Sequence, residues 1–114
     1  MCGIAGIWAT NLSTEQIRDR LVLMSRAIAH RGPDSDGLFS DTDTPGLGFA
    51  HRRLAILDLS EAGHQPMVSS SGRFVIVLNG EIYNYKELTT ELASHGVKFR
   101  GGSDTEVVLA AIEH

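Results

Sequence analysis

The sequence predicts an α+β fold, with short strands and amphipathic helices layered in one domain. Three observations lead there. Ile17, Leu21, Met24 and Ile28 recur at steps of four, three and four, the spacing of one helix face. Residues 73–78 (Arg-Phe-Val-Ile-Val-Leu) are β-branched or aromatic on both alternating faces. Such a run reads as a strand buried on both sides, central in a layered structure. Residues 3–9 place Ile4, Ile7 and Trp8 among small residues, the pattern of a short buried strand.

The elements follow in order. Asn11-Leu12-Ser13 ends the first strand, and Ser13 with Gln16 forms a capping box for a helix over about residues 14–29. Arg18, Asp19 and Arg26 suit its wet side. Pro33 disfavours helix at Gly32, so residues 31–37 read as a loop closed by Gly37. Two extended runs follow, Leu47-Gly48-Phe49-Ala50 and Leu54-Ala55-Ile56-Leu57, with His51-Arg52-Arg53 between them. Residues 61–66 are a loop and 69–72 a turn. After the strand at 73–78, Asn84 with Glu87 marks a helix start, and Leu88, Leu92 and Ala93 give a helix over about 85–95 its inward face. Gly96 suits the position after that helix. Val97-Lys98-Phe99 is a short extended piece. Ser103 with Glu106 is a second capping box, opening a helix that carries Val107, Val108, Leu109 and Ile112. That helix reaches Glu113-His114 without a terminating glycine, which reads as a chain cut inside a helix.

Composition narrows the function classes. A chain of 114 residues, 42% hydrophobic, can bury a core as one domain. A net charge of −4 with no basic patch argues against nucleic acid. No apolar run approaches the roughly 18 residues that span a bilayer, and no signal peptide pattern is present. A single cysteine forms no intramolecular disulfide, which fits a cytoplasmic setting. The five histidines lack zinc spacing, and there is no phosphate-binding glycine motif. Asp34, Asp36 and Gly37 hint at a calcium loop, but its twelfth position falls on Pro45, so no metal is expected.

The one cysteine is residue 2. A lone cysteine in an apolar strand is usually a small buried hydrophobe. At position 2, removal of Met1 would put a thiol and a free α-amine on one carbon. α-Amines titrate at about 7.7–8.0, close to the range that suits a general base. Nucleophiles activated by their own N-terminal amine are a known arrangement. Attack on a carbonyl creates an oxyanion, which fixed N–H donors stabilise. Asn79-Gly80 supplies a side-chain amide and a flexible backbone N–H, although the same pair is also a common turn. Of the adjacent Arg52 and Arg53, an extended chain turns one to solvent and one inward, toward a structural carboxylate or a ligand's. Asp104 sits where a capping residue would, yet Arg53 and Asp104 together could hold the carboxylate and ammonium of a free amino acid.

Five ordered blocks then carry a resemblance: Met-Cys-Gly-Ile-Ala-Gly-Ile (1–7), Arg-Gly-Pro-Asp-x-x-Gly (31–37), Ala-His-x-Arg-Leu-x-Ile (50–56), Asn-Gly-Glu-Ile-Tyr-Asn (79–84) and Gly-Ser-Asp-Thr-Glu (102–106). Together they resemble the class II glutamine amidotransferases, and within them the glutamine-hydrolysing asparagine synthetase type. The resemblance implies a glutaminase fold of the N-terminal nucleophile hydrolase kind, a four-layer αββα sandwich of antiparallel sheets, incomplete here. Residues 1–114 would be the N-terminal part of a domain about twice as long. It implies that Cys2 is the nucleophile with its own α-amine as base, and that Asn79 and Gly80 form the oxyanion hole. Arg53 would bind the glutamine carboxylate and Asp104 its α-amine. Leu54, Ala55, Ile56, Leu57 and Glu81 would line the glutamine pocket. No cofactor is implied for this segment. ATP and Mg2+ belong to a C-terminal synthetase domain that amidates aspartate, and a homodimer is possible in such a family. The same scaffold serving another carboxylate or sugar acceptor, or a non-catalytic module binding an amino acid, are the alternatives.

Overall fold

The computed structural model describes residues 1–55 and 60–114. Within them the chain is α+β with antiparallel sheets, as expected. Strand β1 (Gly3–Trp8) leads to helix α1 (Thr14–Ala27), a 3-10 turn at Ala29–Arg31, β2 (Ser35–Ser40) and β3 (Leu47–Arg53). A second 3-10 turn (Glu61–Gly63), β4 (Met67–Val68), β5 (Val75–Ile76), α2 (Tyr85–Ser94) and α3 (Asp104–Glu113) complete the order. One sheet is three-stranded, in the order β1-β3-β2, and the other pairs β4 with β5.

Helix α1 begins where its cap dictates. The Ser13 hydroxyl accepts from the Gln16 N–H at 3.2 Å, and the Gln16 side chain accepts from the Ser13 N–H at 2.9 Å. Its apolar face buries Ile17 and Leu21 against Ala50 of β3, with Ala5, Ile7, Leu38 and Met24 packed around them. The small residues of the sheet make this approach possible. A Cβ on Gly48 would stand 2.6 Å from Leu21 Cδ1 and 2.8 Å from Ile17 Cγ2. Helix α2 ends as Gly96 predicts. Gly96 takes φ +89°, its N–H donates to Ala93 and the Val97 N–H to Leu92, the two bonds of a Schellman stop.

Several expectations are corrected. Among the described residues, the run at 73–78 pairs through Val75 and Ile76, with β4, and its apolar positions are half-buried rather than buried on both faces. Among the described residues, β5 has β4 as its strand neighbour and lies beside α3. Residues 35–40, expected within a loop and beyond it, form β2, because β3 supplies a full antiparallel ladder for a segment of low intrinsic strand preference. His51-Arg52-Arg53 completes β3 rather than standing outside it. Leu54-Ala55 continues without strand geometry, and Ile56 and Leu57 lie outside the described residues. β1 is buried on one face only. Ile4 is 47% and Trp8 77% exposed, since strand alternation sends them away from α1. Ala93 and Ile112 are exposed, and Asn84 makes no side-chain cap bond. Ser103 caps Thr105, but Glu106 does not close the box. Its carboxylate accepts from the Arg100 and Gly101 N–H groups at 2.7 and 3.0 Å, bracing the loop before α3.

Gly48→Ala is expected to destabilise the fold by about 1–3 kcal/mol through overpacking. Leu21→Ala should cost about 2–5 kcal/mol through the cavity it leaves. Urea unfolding midpoints check both, and a Gly48→Ala midpoint equal to that of the parent would contradict the close packing of α1 on β3.

Candidate active site

The outer face of β3 is the floor of the site. Strand alternation puts Phe49, His51 and Arg53 on that face and Arg52 on the other. Arg52 is the structural arginine, pairing with Asp36 at 3.7 Å and donating from Nε to the Gly32 carbonyl at 3.0 Å. Arg53 donates to the Ser60 carbonyl at 2.8 Å and pairs with no carboxylate among the described residues. The β1–β3 register pairs Gly3 with Arg52. Continued by one position, it brings Cys2 beside Arg53, on the same face.

Cys2 faces the Leu54 peptide group. The thiol donates to the Leu54 carbonyl at 3.5 Å, and the Leu54 N–H points at Sγ from 3.3 Å. The Cys2 carbonyl is held in turn by Arg31 Nε at 3.1 Å. The loop that supplies Arg31 also steadies the next segment. The Asp34 N–H donates to the Arg53 carbonyl at 2.9 Å, and the Asp34 carboxylate accepts from the Ala55 N–H at 2.9 Å. Gly32 permits this, because a Cβ there would overlap the Arg52 backbone.

Across from Cys2 stands the segment after β5. Its Leu78 N–H donates to Gln65 Oε1 at 2.7 Å, and its Ile82 N–H donates to Asp104 Oδ2 at 2.8 Å. Residues 79–81 are thus strung between two pinned amides. Asp104 is buried at the start of α3 and bonds this segment, while Ser103 caps the helix. A cleft of about 330 Å3 joins these parts, at the small end of the ligand-pocket range. Cys2, Arg53, Leu54, Ala55, Asn79, Gly80, Glu81 and Asp104 all line it, with Met1 and Tyr83 also on its wall. The two remaining pocket residues named from the sequence, Ile56 and Leu57, lie outside the described residues. Among the described residues no group of His, Cys, Asp and Glu could hold a metal ion, and no helix is long and apolar enough to cross a membrane.

Four contributors escaped the sequence reading. Arg31 and Asp34 sit in what reads as an ordinary turn, and only the Arg-Gly-Pro-Asp block could have flagged them. Gln65 gave no periodic signal. His51 is 1% exposed and lines the cleft, yet neither ring nitrogen has a hydrogen-bond partner among the described residues. Burial pushes its pKa below the ordinary histidine range. The Leu78 backbone opposes that shift, and the nearby His64 and Arg53 reinforce it.

A family model described as "Glutamine amidotransferase domain" matches residues 1–114. The chain is 43% identical over 116 residues to "Asparagine synthetase [glutamine-hydrolyzing] 1" of Bacillus subtilis (strain 168), covering 100% of this chain and 18% of that protein. It is 41% identical over 108 residues to "Asparagine synthetase [glutamine-hydrolyzing] 1" of Arabidopsis thaliana, covering 95% of this chain and 18% of the relative. A fungal protein from Gibberella zeae named "Amidase chry2" is 40% identical over 124 residues, again covering 100% of this chain and 18% of the relative. The chain therefore spans about a fifth of the length of the curated relatives it matches.

His51 generates a pH prediction. Its folded pKa lies below the unfolded value of about 6.5, so the unfolded state takes the proton first. Its contribution is complete above about pH 6.5 and declines as the pH falls through that value. The melting temperature should drop between about pH 7.5 and 5.5, and His51→Gln should flatten that drop. Parallel melting curves for the two proteins across this interval would refute the assignment.

Proposed function

Because the chain belongs to the glutamine amidotransferase domain family, we propose that it releases ammonia from L-glutamine through a thioester on Cys2. The observation that carries this is the shared cleft. A thiol, an Asn-Gly pair, an arginine and a buried carboxylate from four separate stretches of chain meet around one small cavity.

Removal of Met1, which is 74% exposed, would free the α-amine of Cys2. That amine takes the thiol proton, directly or through a water, and the Leu54 N–H steadies the thiolate. Arg53 grips the substrate α-carboxylate. Asp104 keeps one oxygen on Ile82 and turns the other to the α-ammonium. Sγ attacks the side-chain carbonyl carbon, and the oxyanion forms against the Asn79 amide and the Gly80 N–H. The C–N bond breaks as the amine returns its proton to the leaving group, and ammonia departs. Water then attacks the γ-glutamyl thioester, giving glutamate and the free thiol. Leu54, Ala55 and Glu81 line the cleft around the substrate.

Two relatives are named as glutamine-hydrolysing asparagine synthetases, which supports aspartate as the acceptor of that ammonia. That amidation would take place in a C-terminal synthetase domain and would need ATP and Mg2+. The four-layer sandwich of the family is the finer fold reading. The exposed outer face of β1, with Ile4 and Trp8, is the face a second sheet would cover.

The reading is tested on the full-length protein by intact mass after incubation with a diazo-ketone analogue of glutamine. Loss of Met1 and one adduct on Cys2, blocked by excess glutamine, is the expected result. Labelling that persists in Cys2→Ala, or that glutamine does not suppress, would sink the mechanism. Asn79→Ala should lower kcat for ammonia release by about 100- to 1,000-fold, the usual effect of losing one oxyanion donor.

A further inference from the structure

Gln65 belongs to neither the nucleophile nor the substrate grips, yet its side chain touches the supports of both ends of the site. It is 7% exposed. Its Oε1 accepts from the Leu78 N–H at 2.7 Å, and its Nε2 donates to Thr105 Oγ1 at 3.2 Å. The first bond fixes which end of the amide faces which partner, since only the carbonyl oxygen can accept from an N–H. Leu78 immediately precedes Asn79 and Gly80, and Thr105 immediately follows Asp104. One buried amide therefore joins the residue before the oxyanion donors to the residue after the amine-binding carboxylate.

Gln65 is itself referenced to the sheet. Its backbone carbonyl lies against Gly37 of β2 so closely that a Cβ there would overlap it. Gly37 pairs with His51 on β3, the strand that carries Arg53. The far end of the oxyanion segment is held separately, by Asp104 on the Ile82 N–H. Without Gln65 the segment would keep that anchor and lose the other, so it could pivot about Ile82. Glutamine is gripped at its α-carbon and attacked at its side-chain carbonyl, so the spacing of those two points governs the reaction.

We propose that Gln65 is a positioning residue that sets the distance between the oxyanion donors Asn79-Gly80 and the amine-binding Asp104. The inference rests on the glutaminase reading above. No aliphatic side chain can replace it, because the Leu78 N–H and the Thr105 hydroxyl would both lose a buried partner.

The test compares L-glutamine with 4-carbamoylbutanoate, the same amide without the α-amine, by ammonia release from the full-length protein. The readout is the ratio of the two kcat/KM values. In the parent the ratio measures what Asp104 contributes to the attack. Gln65→Leu should lower the ratio by about 10-fold or more, the scale of a small misplacement at a reacting centre. Thr105→Val, which cuts only one of the two bonds, should lower it in the same direction, and Thr105→Ser should restore it. A general loss of folded protein reduces both substrates equally and leaves the ratio unchanged. A parental ratio in both Gln65→Leu and Thr105→Val overturns the proposal. Should Gln65→Leu fail to fold, the two Thr105 variants decide alone. Failure of the glutaminase reading looks different, because the parent protein itself would then release no ammonia from glutamine, and both inferences would fall.

Discussion

A slip of one residue between β1 and β3 would turn Cys2 to the helix side of the sheet, away from Arg53. Strand pairing has a period of two, so register decides which face each side chain occupies. Here the register is held by the burial of one face. Ala5, Ile7 and Ala50 must meet Ile17 and Leu21 of α1, and that requirement leaves Cys2, His51 and Arg53 on the opposite face. The helix never approaches the cleft, but its packing selects the pairing that builds the cleft floor. Gly48 contributes to the chemistry in the same indirect way, by letting α1 come close enough to enforce the register.

Beyond the floor, the described chain around the cleft takes side chains rather than a ladder as partners for its amides: Asp34 on Ala55, Gln65 on Leu78 and Asp104 on Ile82. Buried backbone groups need partners, and a loop that takes them from side chains is fixed in place without joining a sheet. Such a loop can leave its other polar groups facing a substrate, which a strand within a sheet cannot. The Arg-Gly-Pro-Asp block is the clearest example. Arg31 holds the carbonyl of Cys2, Gly32 lies on the Arg52 backbone, and Asp34 holds both Arg53 and Ala55.

Much of this was legible in the sequence, though unevenly. Helix α1 announced itself through its period and its cap, and α2 through Gly96, because those signals are local. The residues of the cleft came from ordered motif blocks, and all those within the described chain line one cavity. Strand burial was misread where the signal depends on neighbours far along the chain. Residues 73–78 have the composition of a central strand, yet among the described residues only Val75 and Ile76 find a strand partner. β2 has little strand preference of its own and exists because β3 offers it a ladder. The roles of Gln65 and Arg31 are set by partners 13 to 40 positions away, which no local pattern encodes.

The tether on the Cys2 carbonyl has a consequence for the life history of the chain. Sheet pairing starts at Gly3 and the Arg31 bond at Cys2, so Met1 adds nothing to the scaffold while lining the mouth of the cleft. Folding and maturation would thereby be separable. On the proposed mechanism, a chain that keeps Met1 would hold the architecture behind it while carrying its own first residue as a stopper, and one peptide-bond cleavage at the surface would make it competent.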